Sequence, residues 1–428
     1  MSALALRQRV LLTPRTGSGL RPSFAWDFRR RTLHPAMSFS RASAASYVDS
    51  DGLLKQAPAH SPCFEHDPLT GACLGLSCWM QSTNQVAHSQ ALTAGGWRST
   101  NVTVTDGAQP APDGTASAAT IRENGATAVH EVEYDVSIVT GSVYGVSVFV
   151  KNISGARWIN FGVSGGNWFN FQPSTGTVGS SNGLAGIVTR AIGGGWYRIS
   201  ALYTAPASTT TSVRLYLSAT NAGIGGPSYS GDNSSTIAAW GFQFETAGVG
   251  VTSYIPTNGS TATRSVDVCA MALASMSGWD GTQGGAVVAA YRPHAFVPPV
   301  PGYQQMAAYL FKTDYQNSVS ILAQDGGGGY AKSQVWSGGM YQNGLTASAV
   351  GAPFTRRRQA LGWSAGRLAV AIDGGPVTGS SGSYALPAGP PDTLWLGYYI
   401  GHALQGTLES VAYYKGARPD AFVQGVSR

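Results

Sequence analysis

The chain has 428 residues, of which 11% are charged, with a net charge of +6 and 56 glycines. That length exceeds one β-sandwich and suits two cores with an additional segment, while so little charge excludes long charged surface helices. The positive excess is thinly spread, and its two local runs, Arg29, Arg30 and Arg31 and then Arg356, Arg357 and Arg358, lack the aromatic or groove-entering surroundings of a nucleic-acid face.

From Met1 to about Pro22 the chain is basic, holds two prolines and shows no period, which predicts an extended arm that orders only on a partner. Its arginines interrupt any apolar core and no cleavage pattern follows, so it is not read as a secretory signal. Residues 23–94 carry many turn signals, among them Asp51-Gly52 and Thr70-Gly71, and are expected to hold sparse regular structure. Cys63, Cys73 and Cys78 cluster there, with Cys269 far along the chain. Their spacing lacks a C-x2-C pair, so buried free thiols are expected rather than zinc.

From about residue 95 the pattern turns to period two. Tyr144, Val146, Val148 and Val150 share one face, as do Val213, Leu215 and Leu217. Further strands are read at His130–Val136, Trp158–Val163, Trp168–Gln172, Trp196–Tyr203 and Ala238–Phe244, giving an antiparallel sandwich over 95–262. After the break at Pro256–Thr263 a second series begins, including Gly285–Tyr291, Met306–Lys312, Ser318–Ala323, Gly362-Trp363, Leu368–Asp373, Thr393–Tyr398 and Thr407–Tyr414. This makes a second sandwich over 263–428. One helix is predicted at Pro419 and Asp420, with Ala421, Phe422 and Val426 packing back. The fold class is therefore all-β. No apolar run approaches the ~18 residues needed to span a bilayer as a helix.

The string Ser38-Phe-Ser-Arg-Ala-Ser-Ala-Ala-Ser-Tyr47, then Asp51-Gly52-Leu53, Phe64-Glu-His-Asp-Pro68, Thr70-Gly71, Gly75-Leu76 and Thr83-Asn84 resembles a motif of phage tail, fibre and related virion proteins. Trp168–Val178 with Gly195-Trp-Tyr-Arg-Ile199 is similar to the carbohydrate-binding-type jelly roll that often accompanies it, and Thr252–Ser260 with Thr263, Arg264 and Asp267 to the exit from that module. Leu368–Gly375 and Leu396 through Tyr414 are similar to the laminin-G and concanavalin-type sandwich. Ser82 stands where arginine is expected in this motif, and Cys63 where a basic residue is common.

The resemblance implies a structural component of a bacteriophage virion, on tail or fibre, with a capsid decoration or head-fibre protein as the alternative. It also implies assembly in the host cytoplasm, other virion proteins as partners, homotrimeric association and a host-surface glycan as a possible ligand. No nucleic acid, membrane insertion, cofactor or metal is expected. Candidates for virion attachment are Arg29, Arg30, Arg31, Cys78 and Ser82.

The enzyme alternative is a polysaccharide depolymerase, which needs two facing carboxylates. The only local acidic cluster, Glu131, Glu133 and Asp135, alternates along a strand and so shares one face, opposite Val132, Tyr134 and Val136. That places the acids toward solvent with no reason for a raised pKa. The seven histidines accompany no nucleophile elbow, and His66 beside Asp67 reads as a structural hydrogen bond. Gly326–Gly329 is a flexible turn without phosphate-loop chemistry, and Asp232, Asn233 and Asp373 lack the dense acidic loop that calcium needs. Aromatic rings remain, since sugar faces stack on exposed Trp and Tyr. Trp158, Trp196 and Trp240 are read as core, and Trp336, Tyr341, Tyr398 and Tyr399, in or beside loops, as glycan- or partner-binding candidates.

Overall fold

The computed structural model describes residues 21–246, 250–294, 303–313, 316–325, 330–349, 352–381 and 391–428. Residues 1–20, most of the expected arm, and the Gly326–Gly329 turn lie outside them. The regular structure of the described residues is almost wholly antiparallel strand, with one short α-helix, Asp420–Val426.

The first sandwich packs two sheets face to face. One has the six strands Thr177–Asn182, Asn167–Gln172, Trp158–Val163, Thr209–Ser218, His130–Ile138 and Trp97–Thr100, in that spatial order. The other runs Ala185–Gly193, Trp196–Thr204, Val143–Ser154, Thr236–Glu245, Ala118–Glu123 and Val102–Gln109, with Ser82–Asn84 and Ala262–Arg264 added at the Glu245 end. Every second residue points inward, as the pleat demands. Tyr144, Val146, Val148 and Val150 meet Val213, Leu215 and Leu217, together with Phe161, Phe169 and Phe171, in one buried core.

The second sandwich is built from both ends of the chain. Its seven-stranded sheet runs Met37–Ser40, Val268–Ala272, Thr393–Leu396, Gln304–Phe311, Ser318–Asp325, Tyr330–Ser337 and Met340–Ala349. The facing sheet centres on Gly406–Lys415, which pairs with Gly285–Pro293 on one edge. On the other edge it pairs first with Cys73–Cys78 (Leu408 opposite Leu76) and then with Phe24–Asp27 (Tyr413 opposite Phe24). Four strands from the region expected to be irregular thus complete this sandwich. They are Phe24–Asp27, Met37–Ser40, Phe64–His66 and Cys73–Cys78, three to six residues each; Phe64–His66 pairs with the nearby Cys73–Cys78, and the other three have partners more than two hundred residues away. No local period could mark them.

The terminal helix packs Phe422, Val423 and Val426 against Ala286, Val288, Ala360, Ala369 and Tyr414. Val423 takes the inward position expected of Ala421, which is exposed. Val423 and Val426 lie three apart and Phe422 and Val426 four apart, a spacing that sets them on one face.

Where the entry and exit of the first sandwich meet, two arginines are fully buried. Arg41 Nη1 lies 3.1 Å from Asp267 Oδ1, and Arg264 Nη1 lies 3.1 Å from Asp267 Oδ2, which also accepts the Trp79 backbone N–H at 2.9 Å. Arg41 further donates to the carbonyls of Ser43, Pro58 and Ser61. The Ser38–Tyr47 string and the Thr263–Asp267 exit are therefore two halves of one ion network.

Candidate functional site

The outer face of the six-stranded sheet carries the most developed polar surface. Because Ile159, Phe161, Phe169, Phe171, Val213 and Leu215 turn inward, their alternates turn outward and line up across strands. One row is Glu131, Tyr216, Asn160 and Asn170; the next is Arg98, Glu133, Arg214, Gly162, Trp168 and Asn182.

In the second row no side chain stands between Arg214 and Trp168. Position 162 requires glycine, since a Cβ there would lie 2.0 Å from the Asn167 carbonyl oxygen and 2.7 Å from Trp168 Cα. Above this gap the loop of residues 221–227 is tied down by a chain of amides. Asn160 Nδ2 donates to Asn170 Oδ1 at 2.8 Å, Asn170 Nδ2 donates to Asn221 Oδ1 at 2.8 Å and to Ala222 O at 2.7 Å, and Gly226 N–H donates to Asn160 Oδ1 at 3.4 Å. Gly225 lies so close to the Trp168 indole that a Cβ would meet Cδ1 at 2.7 Å.

What remains is a cleft of about 260 Å³ lined by Asn160, Gly162, Asn167, Trp168, Arg214 and Tyr216, among others. Arg214 Nη1 donates to Tyr216 Oη at 2.8 Å, fixing both side chains. The cleft offers the Tyr216 ring, an edge of the largely buried Trp168 indole, a guanidinium and the Asn167 amide, and its lining includes no carboxylate.

The acidic cluster lies beside it, in a ladder with two arginines. Glu133 is held at 3.0 Å by Arg98 and 2.7 Å by Arg214, Glu131 lies 3.6 Å from Arg214, and Asp135 accepts from Arg98 (2.7 Å) and Ser212 Oγ (2.6 Å). Hydrogen bonds from Arg98 and Ser212 hold Asp135 down to about 2. Glu131 departs from expectation: it is buried, and that burial pushes its pKa up despite Arg214. Sequence alternation gives its face correctly but not the neighbours that desolvate it.

The sequence-predicted aromatic candidates fall into two groups. Trp336 and Tyr341 pair edge to face at 5.3 Å on adjacent strands of the seven-stranded sheet, both exposed. They sit within strands, not loops, because the hairpin turn is only Gly338-Gly339. Tyr398 and Tyr399 are half-buried in a small hairpin. Tyr399 packs on Tyr309 at 4.4 Å and stacks on His402 at 5.7 Å, and Tyr398 lies 5.3 Å from Trp395. Trp196 and Trp240 are buried, but Trp158 faces outward beside Gly179 rather than into the core.

Of the attachment candidates, Arg30 and Arg31 are exposed, while Arg29 is engaged by Asp27 (2.7 Å) and Glu409 (3.3 Å). Cys78 and Ser82 are corrected: both are buried and offer no surface to a partner. The Ser82 hydroxyl donates to the buried Glu245 carboxylate at 2.8 Å, so it occupies an internal site. Cys63 accepts from Arg41 Nη1 at 3.6 Å. All four cysteines are free thiols, and burial pushes Cys63 and Cys269 up to about 12.

Arg356 is exposed and Arg357 and Arg358 are half-buried, and each has a partner within the chain. They bind Glu409, Asp373 and the Val426 carbonyl respectively. His66 Nδ1 lies 3.1 Å from the Val48 carbonyl oxygen, and Asp67 caps the Thr70 turn. Asp232 is committed to Ser234, Ser235 and Arg157. Among the described residues no group of three or more His, Cys, Asp or Glu is placed to hold a metal.

No family model matches this chain, and no curated protein matches it. Solved structures do. The CBM40 module of a Ruminococcus gnavus IT-sialidase is 13% identical, with 34% of this chain and 84% of that one covered, at a TM-score of 0.27. Domain 4 of AbnA, an extracellular GH43 arabinanase from Geobacillus stearothermophilus solved with arabinotriose, is 16% identical over 42% of this chain and 82% of that one, at 0.28. The LG1-3 region of the laminin alpha2 chain is 11% identical over 68% and 65%, at 0.25.

Proposed function

We propose that this chain is a glycan-binding structural protein of a bacteriophage particle, acting without catalysis, in which the cleft on the six-stranded sheet takes the sugar. The cleft carries the reading. Apolar sugar faces match the Tyr216 ring beside the largely buried Trp168 indole, and hydroxyls match the Asn167 amide and the Arg214 guanidinium. Hydrolysis of a glycosidic bond calls for paired carboxylates across the substrate, and the cleft lining has none.

The virion assignment rests on the Ser38–Asn84 motif. Attachment falls to the N-terminal region with Arg30 and Arg31, and association as a homotrimer follows the symmetry usual in fibres. Tail, fibre and head positions remain alternatives within it.

A glycan array tests the binding. Arg214→Ala and Asn167→Ala are expected to weaken the best ligand about tenfold each, the loss of a hydrogen bond to a charged or amide group. Trp336→Ala leaves it unchanged. Absence of binding across a broad array overturns the glycan reading, and loss with Trp336→Ala alone moves the site to the exposed Trp336–Tyr341 pair. Shortened chains after incubation with host polysaccharide would overturn the non-catalytic reading, and light scattering from a stable monomer the trimer.

A further inference from the structure

A second, smaller cavity, of about 70 Å³, lies between the two sandwiches and is independent of the cleft above. On one side it meets the outer face of the first sandwich's larger sheet. Ile199, Ala201 and Tyr203 face the core there, so Arg198 faces out, and Arg190 stands opposite it on the neighbouring strand. On the other side are His294 and Phe354 of the second sandwich, with Glu65 and Trp79 between.

The two arginines differ in how they are satisfied. Arg190 lies 3.5 Å from Glu65, donates to the His66 carbonyl at 3.4 Å and sits over the Phe354 ring at 4.7 Å. Arg198 lies over the Phe149 ring at 5.5 Å and makes one hydrogen bond, from Nη2 to Ser147 Oγ at 3.0 Å, but no ion pair with any described residue. Its Nε is buried without a partner, and so is Nε1 of Trp79 in the same lining.

Burial pulls the Arg198 guanidinium down to about 10, which still leaves it charged at neutral pH, with Glu245 acting on it only through space. Burial and the surrounding arginines keep His294 neutral. Glu65 and Glu245 thus offset the two guanidiniums only through space or at 3.5 Å, and the half-buried Arg198 is left without a direct ion pair and with a buried Nε that has no partner, an arrangement that is costly.

We propose that this cavity binds a small oxyanion, the carboxylate or phosphate group of a ligand, through the planar fork of Arg198. A guanidinium matches such groups with two parallel hydrogen bonds. The space exceeds the roughly 10–15 Å³ in which the centre of one water moves, enough for a small anionic group.

The test uses the full chain, with sodium acetate, sodium glucuronate and sodium phosphate against sodium chloride at matched ionic strength, read by thermal shift and calorimetry. The expected result is a saturable rise in Tm over chloride with at least one oxyanion, abolished in Arg198→Gln. A response to acetate and glucuronate without phosphate assigns a carboxylate, and the reverse assigns a phosphate group. Val188→Phe, which fills the cavity and leaves Arg198 in place, is expected to keep the circular dichroism spectrum and weaken binding at least tenfold. No rise beyond chloride, or a rise undiminished in Arg198→Gln, overturns the proposal. If Arg198→Gln fails to fold, an undiminished rise in Val188→Phe overturns it.

Discussion

Replacing Asp267 by asparagine removes one charge and almost no volume, and so isolates the electrostatics of the buried network. Asp267 is 3% exposed and faces Arg41 and Arg264, whose side chains are 0% and 1% exposed. Neither arginine can shed its proton, so Asp267→Asn leaves two guanidiniums in the interior with only neutral acceptors. Breaking a buried pair in this way costs about 3–5 kcal/mol. The three carbonyls that Arg41 also reaches argue for the lower half of that range. At roughly 2–4 °C per kcal/mol for a domain of this size, Tm is expected to fall by about 6–16 °C by calorimetry, with the free-energy loss read from denaturant unfolding followed through circular dichroism. Arg41→Met in the Asp267→Asn background should cost less than in wild type, because the partner charge is already gone. A loss below about 1 kcal/mol in the single variant would refute the view that this network ties the chain's entry and exit together.

Glu409, 1% exposed, gathers Arg29, Arg292 and Arg356. Burial alone would raise its pKa, but the hydrogen bond and charge of Arg356, with Arg29 and Arg292, hold it below the ordinary glutamate value. A depressed folded-state pKa adds stability above the unfolded value that is lost as pH falls through the folded one. The Tm difference between wild type and Glu409→Gln should therefore be full at neutral pH and shrink below about pH 4.5; a difference independent of pH would contradict the ion-pair account. Thiol titration with an aromatic disulfide on the native chain should label Cys73 alone, since it is half-buried whereas Cys63, Cys78 and Cys269 are buried, burial raising the pKa of all four; rapid reaction of more than one thiol would show that this interior opens. Gly162→Ala should destabilise the chain by about 1–3 kcal/mol and deform the cleft, read as lost glycan binding together with a lower Tm; unchanged binding would mean the gap beside Trp168 is not the site.

Much of this protein was legible from local pattern. The period-two runs at 143–150 and 212–218 predict the faces that form the first core, since a strand buried on one side must alternate whatever its partners are. The all-β class and the terminal helix follow from similar local rules. The reading failed where contacts run between distant segments. The short strands at Phe24–Asp27, Met37–Ser40 and Cys73–Cys78 carry too few residues for a period, and only pairing with Gly406–Lys415 and Val268–Ala272 defines them.

The site divides in the same way. Sequence put Trp168, Arg214 and Asn160 in strands, and alternation could have placed them on one outer face. The cleft, however, depends on register across four strands and on a loop of seven residues pinned by Asn170, which no linear spacing encodes. Ser82 reads as a surface specialisation because it departs from the motif, yet a departure says nothing of which side of a sheet it faces, and Ser82 is buried. What the sequence determined by itself is the alternation that sorts residues into core and surface, because that depends only on neighbours two positions apart. Which surface residues converge, which charges are buried and which cavity lies between the sandwiches were decided by tertiary structure alone, because each depends on side chains brought together from far along the chain.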